Sequence, residues 1–128
     1  MSDAVRTAAR EDRDVSGAAV TFAIVDEIKR LRQEPEWISG DRNSVTVVKT
    51  SNLSVVLTAI KKGAKLCGHQ VEGPITVQVV SGTIQFSVAG ELRTLGAGTV
   101  IALDNDVPHD IEALDDSEFM LTIVRDVK

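Results

Sequence analysis

Side chains suited to binding metals or moving protons at neutral pH are scarce in this 128-residue sequence: two histidines, His69 and His109, and one cysteine, Cys67. A site built on nitrogen and sulfur must use nearly all of them. Cys67 stands two residues before His69, so in an uninterrupted β-strand both side chains face the same way. A thiolate beside imidazole is a soft donor set suited to zinc or another late divalent metal. Gly68 lies between them and can introduce a bulge that breaks the alternation, and a lone cysteine is more often a small buried hydrophobe. His109 sits in an acidic stretch, residues 104–118, which holds Asp104, Asp106, Asp110, Glu112, Asp115, Asp116 and Glu118 and no Lys or Arg. Nearby carboxylates favour the imidazolium form, and Asp106 or Asp110 would complete a two-His-one-carboxylate triad. The plainer reading is turn chemistry at 104–108, a solvated Asp115-Asp116 turn, and Asp110 and Glu112 facing water on either side of Ile111.

Other chemistries find no support. The glycines at 63, 68, 73, 96 and 98 form neither Gly-x-Gly-x-x-Gly before a helix nor a Gly-Lys-Ser/Thr phosphate loop, and no serine occupies a Gly-x-Ser-x-Gly elbow. Fourteen Lys and Arg against nineteen Asp and Glu give a net charge of −5, which offers no footprint for nucleic acid or an anionic membrane. A single cysteine makes no internal disulfide. No apolar run approaches the ~20 residues of a membrane span, and the opening Met-Ser-Asp-Ala-Val-Arg has no apolar leader, so the expectation is a soluble, cytoplasmic protein.

The elements that must position these residues follow from periodicity. Residues 1–18 mix charges with alanines and read as a flexible arm. Residues 19–40 read as a helix and connector: Ile24, Ile28 and Leu31 recur at helical spacing with Val25 beside them, while Asp26, Glu27, Lys29, Arg30 and Arg32 take the other side. Pro35 ends that helix, and Trp37 follows as a packing anchor. Residues 41–128 form the main unit, with short β-rich runs at 44–49, 53–60, 75–80, 83–88, 91–95, 99–103, 110–114 and 118–124. Turn residues separate them, which argues an all-β sandwich or barrel. Ser81-Gly82 reads as the loop of a hairpin pairing Val79 with Ile84 and Gln78 with Gln85. One face then carries Ile75, Val77, Val79, Ile84, Phe86 and Val88.

Two stretches resemble the motifs of the cupins, small antiparallel β-barrels of jelly-roll topology. In the first, Gly63 is followed by five residues and His69, and the closing Gly82 falls at the expected turn. In the second, Gly98 is followed by Thr-Val-Ile-Ala-Leu and then Asp104-Asn105-Asp106-Val107-Pro108-His109. The resemblance covers residues 44–125 and implies a single jelly-roll barrel preceded by a short helix. A metal-binding cupin typically uses three histidines and one glutamate. Carried onto this sequence, His69 and His109 match two of the histidines, Val71 occupies the third histidine position and Ile75 the glutamate position. Asp104 and Asp106 replace the usual Pro and Gly, and Ala113 replaces an Asn.

The resemblance implies that His69 and His109 converge inside the barrel, joined by Cys67 if the strand runs unbroken, or that they are hydrogen-bonded residues near its mouth. Three functional readings follow. The leading one is a binding module that holds a small ligand, or one loosely bound zinc, nickel or iron ion, in a cavity lined by Val71, Ile75, Val77 and Phe86. The second is a metal-dependent oxygenase or isomerase with a reduced ligand set. The third is a structural or interaction barrel with neither metal nor ligand. A homodimer is expected to cover exposed strand edges or outer apolar positions such as Val47, Val55 and Val80, with the N-terminal helix contributing.

Overall fold

The computed structural model describes residues 14–69 and 72–125, with His69 described by its backbone alone. Helix α1 (Ile24–Gln33) ends before Pro35, which becomes the first residue of a short second helix, α2 (Pro35–Ser39). Nine strands follow: β1 (Arg42–Lys49), β2 (Leu53–Ile60), β3 (Lys65–His69), β4 (Ile75–Ser81), β5 (Thr83–Val88), β6 (Glu91–Gly96), β7 (Val100–Leu103), β8 (His109–Ala113) and β9 (Ser117–Val124). They form two sheets, ordered β1-β2-β9-β4-β7 and β3-β8-β5-β6, in which every pairing is antiparallel. The β-rich runs expected from periodicity omit β3, whose Lys-Leu-Cys-Gly-His run is short and carries a glycine, a residue poor in strands.

Alternation explains the core. Val77, Val79, Ile84, Phe86, Ile111, Ala113 and Phe119 point between the sheets and are buried. The predicted apolar face of residues 75–88 is therefore correct, but the hairpin is not. β4 pairs with β7 and β9, whereas β5 pairs with β6 and β8 in the other sheet. Ser81-Gly82 is a corner where the chain changes sheets. Gln78 lies beside Val100 and Met120, and Gln85 beside Thr94 and Glu112, so the two amides are not partners. The two-residue hairpin of this region lies one strand later, at Ala89-Gly90, where Val88 faces Glu91 and both turn residues have positive φ (52° and 77°). That is the backbone of a type I′ turn, which twists with the strands it joins.

A second core lies on the outer face of β1 and β2, where Leu31 and Trp37 cover Val45, Val47, Val55, Leu57 and Ala59. Full burial of Leu31 contributes roughly 2 kcal/mol by its area. The helix sits rotated from the expected phase: Val25 is 64% exposed, while Glu27 and Glu34 are buried beside Leu31. Their partners account for this. Arg30 reaches Glu27 at 3.4 Å, and Asn43 Nδ2 donates to Glu34 Oε1 at 2.8 Å and to the Leu31 carbonyl at 2.9 Å. Arg32 pairs with buried Glu118 of β9, and Arg32 and Lys61 lie over the Trp37 ring at 4.9 and 5.1 Å.

This packing corrects two of the outer positions expected in a dimer surface. Val47 and Val55 are covered by the chain's own helices, and Val80 is half-buried. Of the anticipated N-terminal arm, residues 1–13 lie outside the described residues, and the Val15 carbonyl accepts the Lys49 N–H at 2.6 Å. Among the described residues no helix is long and apolar enough to cross a membrane.

Two substitutions test the corner and the turn. At Gly82 (φ +82°) an added Cβ would collide with Ser117 Oγ and the Asp116 carbonyl, so Gly82→Ala should lower stability by more than ~2 kcal/mol in chemical denaturation. Ala89→Asn places a residue tolerant of positive φ in the hairpin turn and should raise stability by about 0.5 kcal/mol.

Candidate functional site

His109 opens β8, is 5% exposed and stacks on Phe86 with ring centroids 5.1 Å apart and planes 13° from parallel. Its Nδ1 lies 3.0 Å from the Val107 carbonyl oxygen. A carbonyl can only accept, so Nδ1 carries the hydrogen; in the neutral ring the lone pair is then on Nε2. Phe86 is fully buried at the centre of its sheet and fixes the ring from one side.

Beside His109 is a cavity of about 210 Å³ between the two sheets. Val56, Leu66, Val77, Ile111, Phe119 and Leu121 supply its apolar lining, and Arg42, Ser44, Thr58 and His109 its polar residues, with Asn43 also bordering it. Arg42 and Ser44 come from β1, two residues apart and so on the same side of the strand. Asn43 between them turns its side chain the other way, into its bonds with Leu31 and Glu34. The helix thereby pins the strand whose alternate residues line the cavity.

Arg42 is partly exposed, and Asp41 holds it in a two-point contact, Nε to Oδ1 at 2.9 Å and Nη2 to Oδ2 at 3.1 Å. These hydrogen bonds, aided by the guanidinium's charge, hold the Asp41 carboxyl below the usual carboxylate range. The same bonds raise the Arg42 pKa, with weaker Coulombic contributions from Asp41 and Cys67.

The other expected site residues divide. His69 is the cross-strand partner of His109, which brings the two backbone positions together. Cys67 does not join His109 in the interior. The β3–β8 register shifts between Leu66 and His69, and Gly68 has φ +66°, so Cys67 and Gly68 together oppose Asp110 as a bulge. Cys67 is exposed in an open groove on the outer face with Lys65, Gln85, Ser87, Leu92 and Asp110. Asp110 is also on that face and accepts the Gly68 N–H at 2.5 Å, while Asp106 is exposed in the preceding turn. Neither aspartate supplies the expected carboxylate to the interior. Val77 lines the cavity; Ile75 is buried in the core without lining it, Phe86 lies behind His109, and Val71 falls outside the described residues. The sequence reading missed Arg42 and Ser44, although their i, i+2 placement on a strand was the available signal.

No protein-family model matches the sequence, and no curated protein matches it. Solved structures do. A conserved protein of unknown function from Streptococcus pyogenes superposes with TM-score 0.68 at 18% identity, over 91% of this chain and 96% of that one. An RmlC-like cupin from Desulfovibrio desulfuricans gives 0.61 at 22% identity, over 88% and 95% of the two chains. KdgF from Halomonas sp. gives 0.61 at 27% identity, over 67% and 81%. The chain folds as a cupin.

At the four positions where metal-binding cupins carry ligands, this cupin has His69, Val71, Ile75 and His109. Ile75 offers no donor and lies between Leu103 and Ile123. Among the described residues no three His, Cys, Asp or Glu side chains are placed to share a metal ion. The donor set of this cupin does not fit a three-His-one-Glu centre.

The Asp41–Arg42 pair gives a direct check. In an NMR titration the Asp41 carboxyl should have its midpoint below the ordinary value, and Arg42→Gln should move it up. With the folded pKa lowered, the pair's contribution to stability is present above the unfolded value and is lost as pH falls through the folded one. Both side chains meet solvent, so screening leaves that contribution small.

Proposed function

We propose that this cupin is a small-molecule binding protein whose site is the barrel cavity, with His109 as the polar anchor and His69 as its neighbour across the strand pair. One observation carries the reading: a buried imidazole, with its tautomer set by a backbone carbonyl and its plane set by Phe86, stands on the wall of an otherwise largely apolar cavity. Apolar sites with a few fixed polar groups are the usual form of small-molecule sites. At about 210 Å³ the cavity is smaller than the ~300–1,000 Å³ typical of drug-sized ligands, so its occupant is a small metabolite.

The roles divide by chemistry. Leu66, Ile111, Phe119 and Leu121 take the hydrocarbon of the ligand, and transfer of that surface from water drives binding. His109 presents a fixed polar imidazole on the cavity wall, and thereby orients the ligand. Phe86 supports the imidazole from behind, so its truncation would loosen the anchor without touching the ligand.

Ligand-induced thermal shifts, combined with elemental analysis, test this reading. A ligand that binds only the folded state at 100-fold above its Kd stabilises by about 2.7 kcal/mol. The expected result is a rise in Tm of several degrees with short-chain organic compounds, lost in His109→Ala. Stoichiometric zinc, nickel or iron in the purified protein, lost in both His69→Ala and His109→Ala, would replace this reading with the metal-dependent one. The absence of any shift across the compound panel, with no metal bound, would leave a structural barrel.

A further inference from the structure

We infer that the cavity selects a small carboxylate, with the anionic end on Arg42 and the hydrocarbon chain against Leu66, Ile111, Phe119 and Leu121; this rests on the cavity being the binding site. The argument begins with charge. The protein has nineteen acidic residues and a net charge of −5, yet among the described residues lining the cavity Arg42 is the one cation and no carboxylate is present. The overall charge repels anions at long range, so recognition must come from a local group, and Arg42 is that group. A cationic ligand would find no carboxylate among these lining residues, whereas an anionic one meets the guanidinium donors that Asp41 does not take.

Geometry narrows the anion. Asp41 engages two of the five guanidinium N–H donors, through Nε and Nη2, and fixes the plane of the group. Three donors remain for a planar two-oxygen acceptor, the shape that guanidinium groups match best. Ser44, on the same side of β1, adds a hydroxyl to the same wall. A dianionic phosphate would face one cation already shared with Asp41, so a monoanion is the better electrostatic match. The lining combines a partly exposed arginine with the hydrocarbon of Leu66, Ile111, Phe119 and Leu121, a division that suits an acid with a short alkyl or similarly apolar chain.

The test compares hexanoate with hexanamide, which share a shape and differ in charge, by NMR titration followed at the Leu121 and His109 resonances. Wild type should bind hexanoate at least about tenfold more tightly, the scale of a hydrogen bond to a charged group. Arg42→Gln should remove that preference by bringing hexanoate to the affinity of hexanamide, and Arg42→Lys should restore part of it. Equal binding of the two compounds by wild type would overturn the carboxylate inference and leave the cavity reading standing. A preference that survives in a folded Arg42→Gln variant would overturn the assignment to Arg42. If neither compound, at millimolar concentration, perturbs the cavity resonances, the carboxylate inference falls, and the thermal-shift panel decides the cavity reading.

Discussion

The chain crosses from one sheet to the other at Gly82, and the rest of the barrel depends on that crossing preserving the direction of the side chains. Before the corner, Val77 and Val79 point into the core from β4; after it, Ile84 and Phe86 point into the same core from β5. The positive φ at Gly82 and the close approach of Ser117 leave no room for a Cβ. Ser117 Oγ, in turn, accepts the Thr83 N–H at 3.0 Å and so fixes the first residue of the new strand. A barrel interior exists because two strands adjacent in sequence are apart in hydrogen bonding yet share one apolar face.

This is also why the sequence disclosed the core more readily than the pairing. Period-two alternation across residues 75–88 identifies the buried face whichever strands are neighbours. A two-residue connection, by contrast, looks the same in a hairpin and in a sheet-switching corner. The distinction lies in long-range partners, Phe119 and Leu121 beside β4 and Ile111 and Ala113 beside β5, which no local window contains. The helix gives a second instance. Its hydrophobic periodicity placed Val25 toward the protein, but Asn43 and Arg30 supply partners for buried glutamates that a hydropathy pattern treats as outward.

The site was legible to the extent that it depends on local motif spacing. His109 follows the spacing of the second motif and lies buried on the cavity wall, and His69 is registered opposite it. Cys67 turned on one backbone torsion: with Gly68 in the left-handed region, the bulge puts the thiol on the outer face. Arg42 was invisible as a cavity residue because its place there depends on β1 being held by the helix on one side and bordering the cavity on the other. The single amide of Asn43 connects those two conditions, linking the outer core to the orientation of the charged group at the cavity.

The strand order carries a consequence for how the barrel is made. β8 lies between β3 and β5, and β9 between β2 and β4, so the two strands furthest along the chain occupy interior places in the two sheets. Until they emerge from the ribosome, β2 and β4 have no strand to bridge them and β3 has no partner. The nascent chain therefore holds apolar strand edges open through most of its synthesis, a condition in which chaperones or intermolecular pairing compete with folding. Closure late in translation makes the acidic segment leading from β8 into β9, which carries Asp115 and Asp116, useful in a further way: like charges there discourage two unfinished chains from pairing through the very strands that complete each barrel.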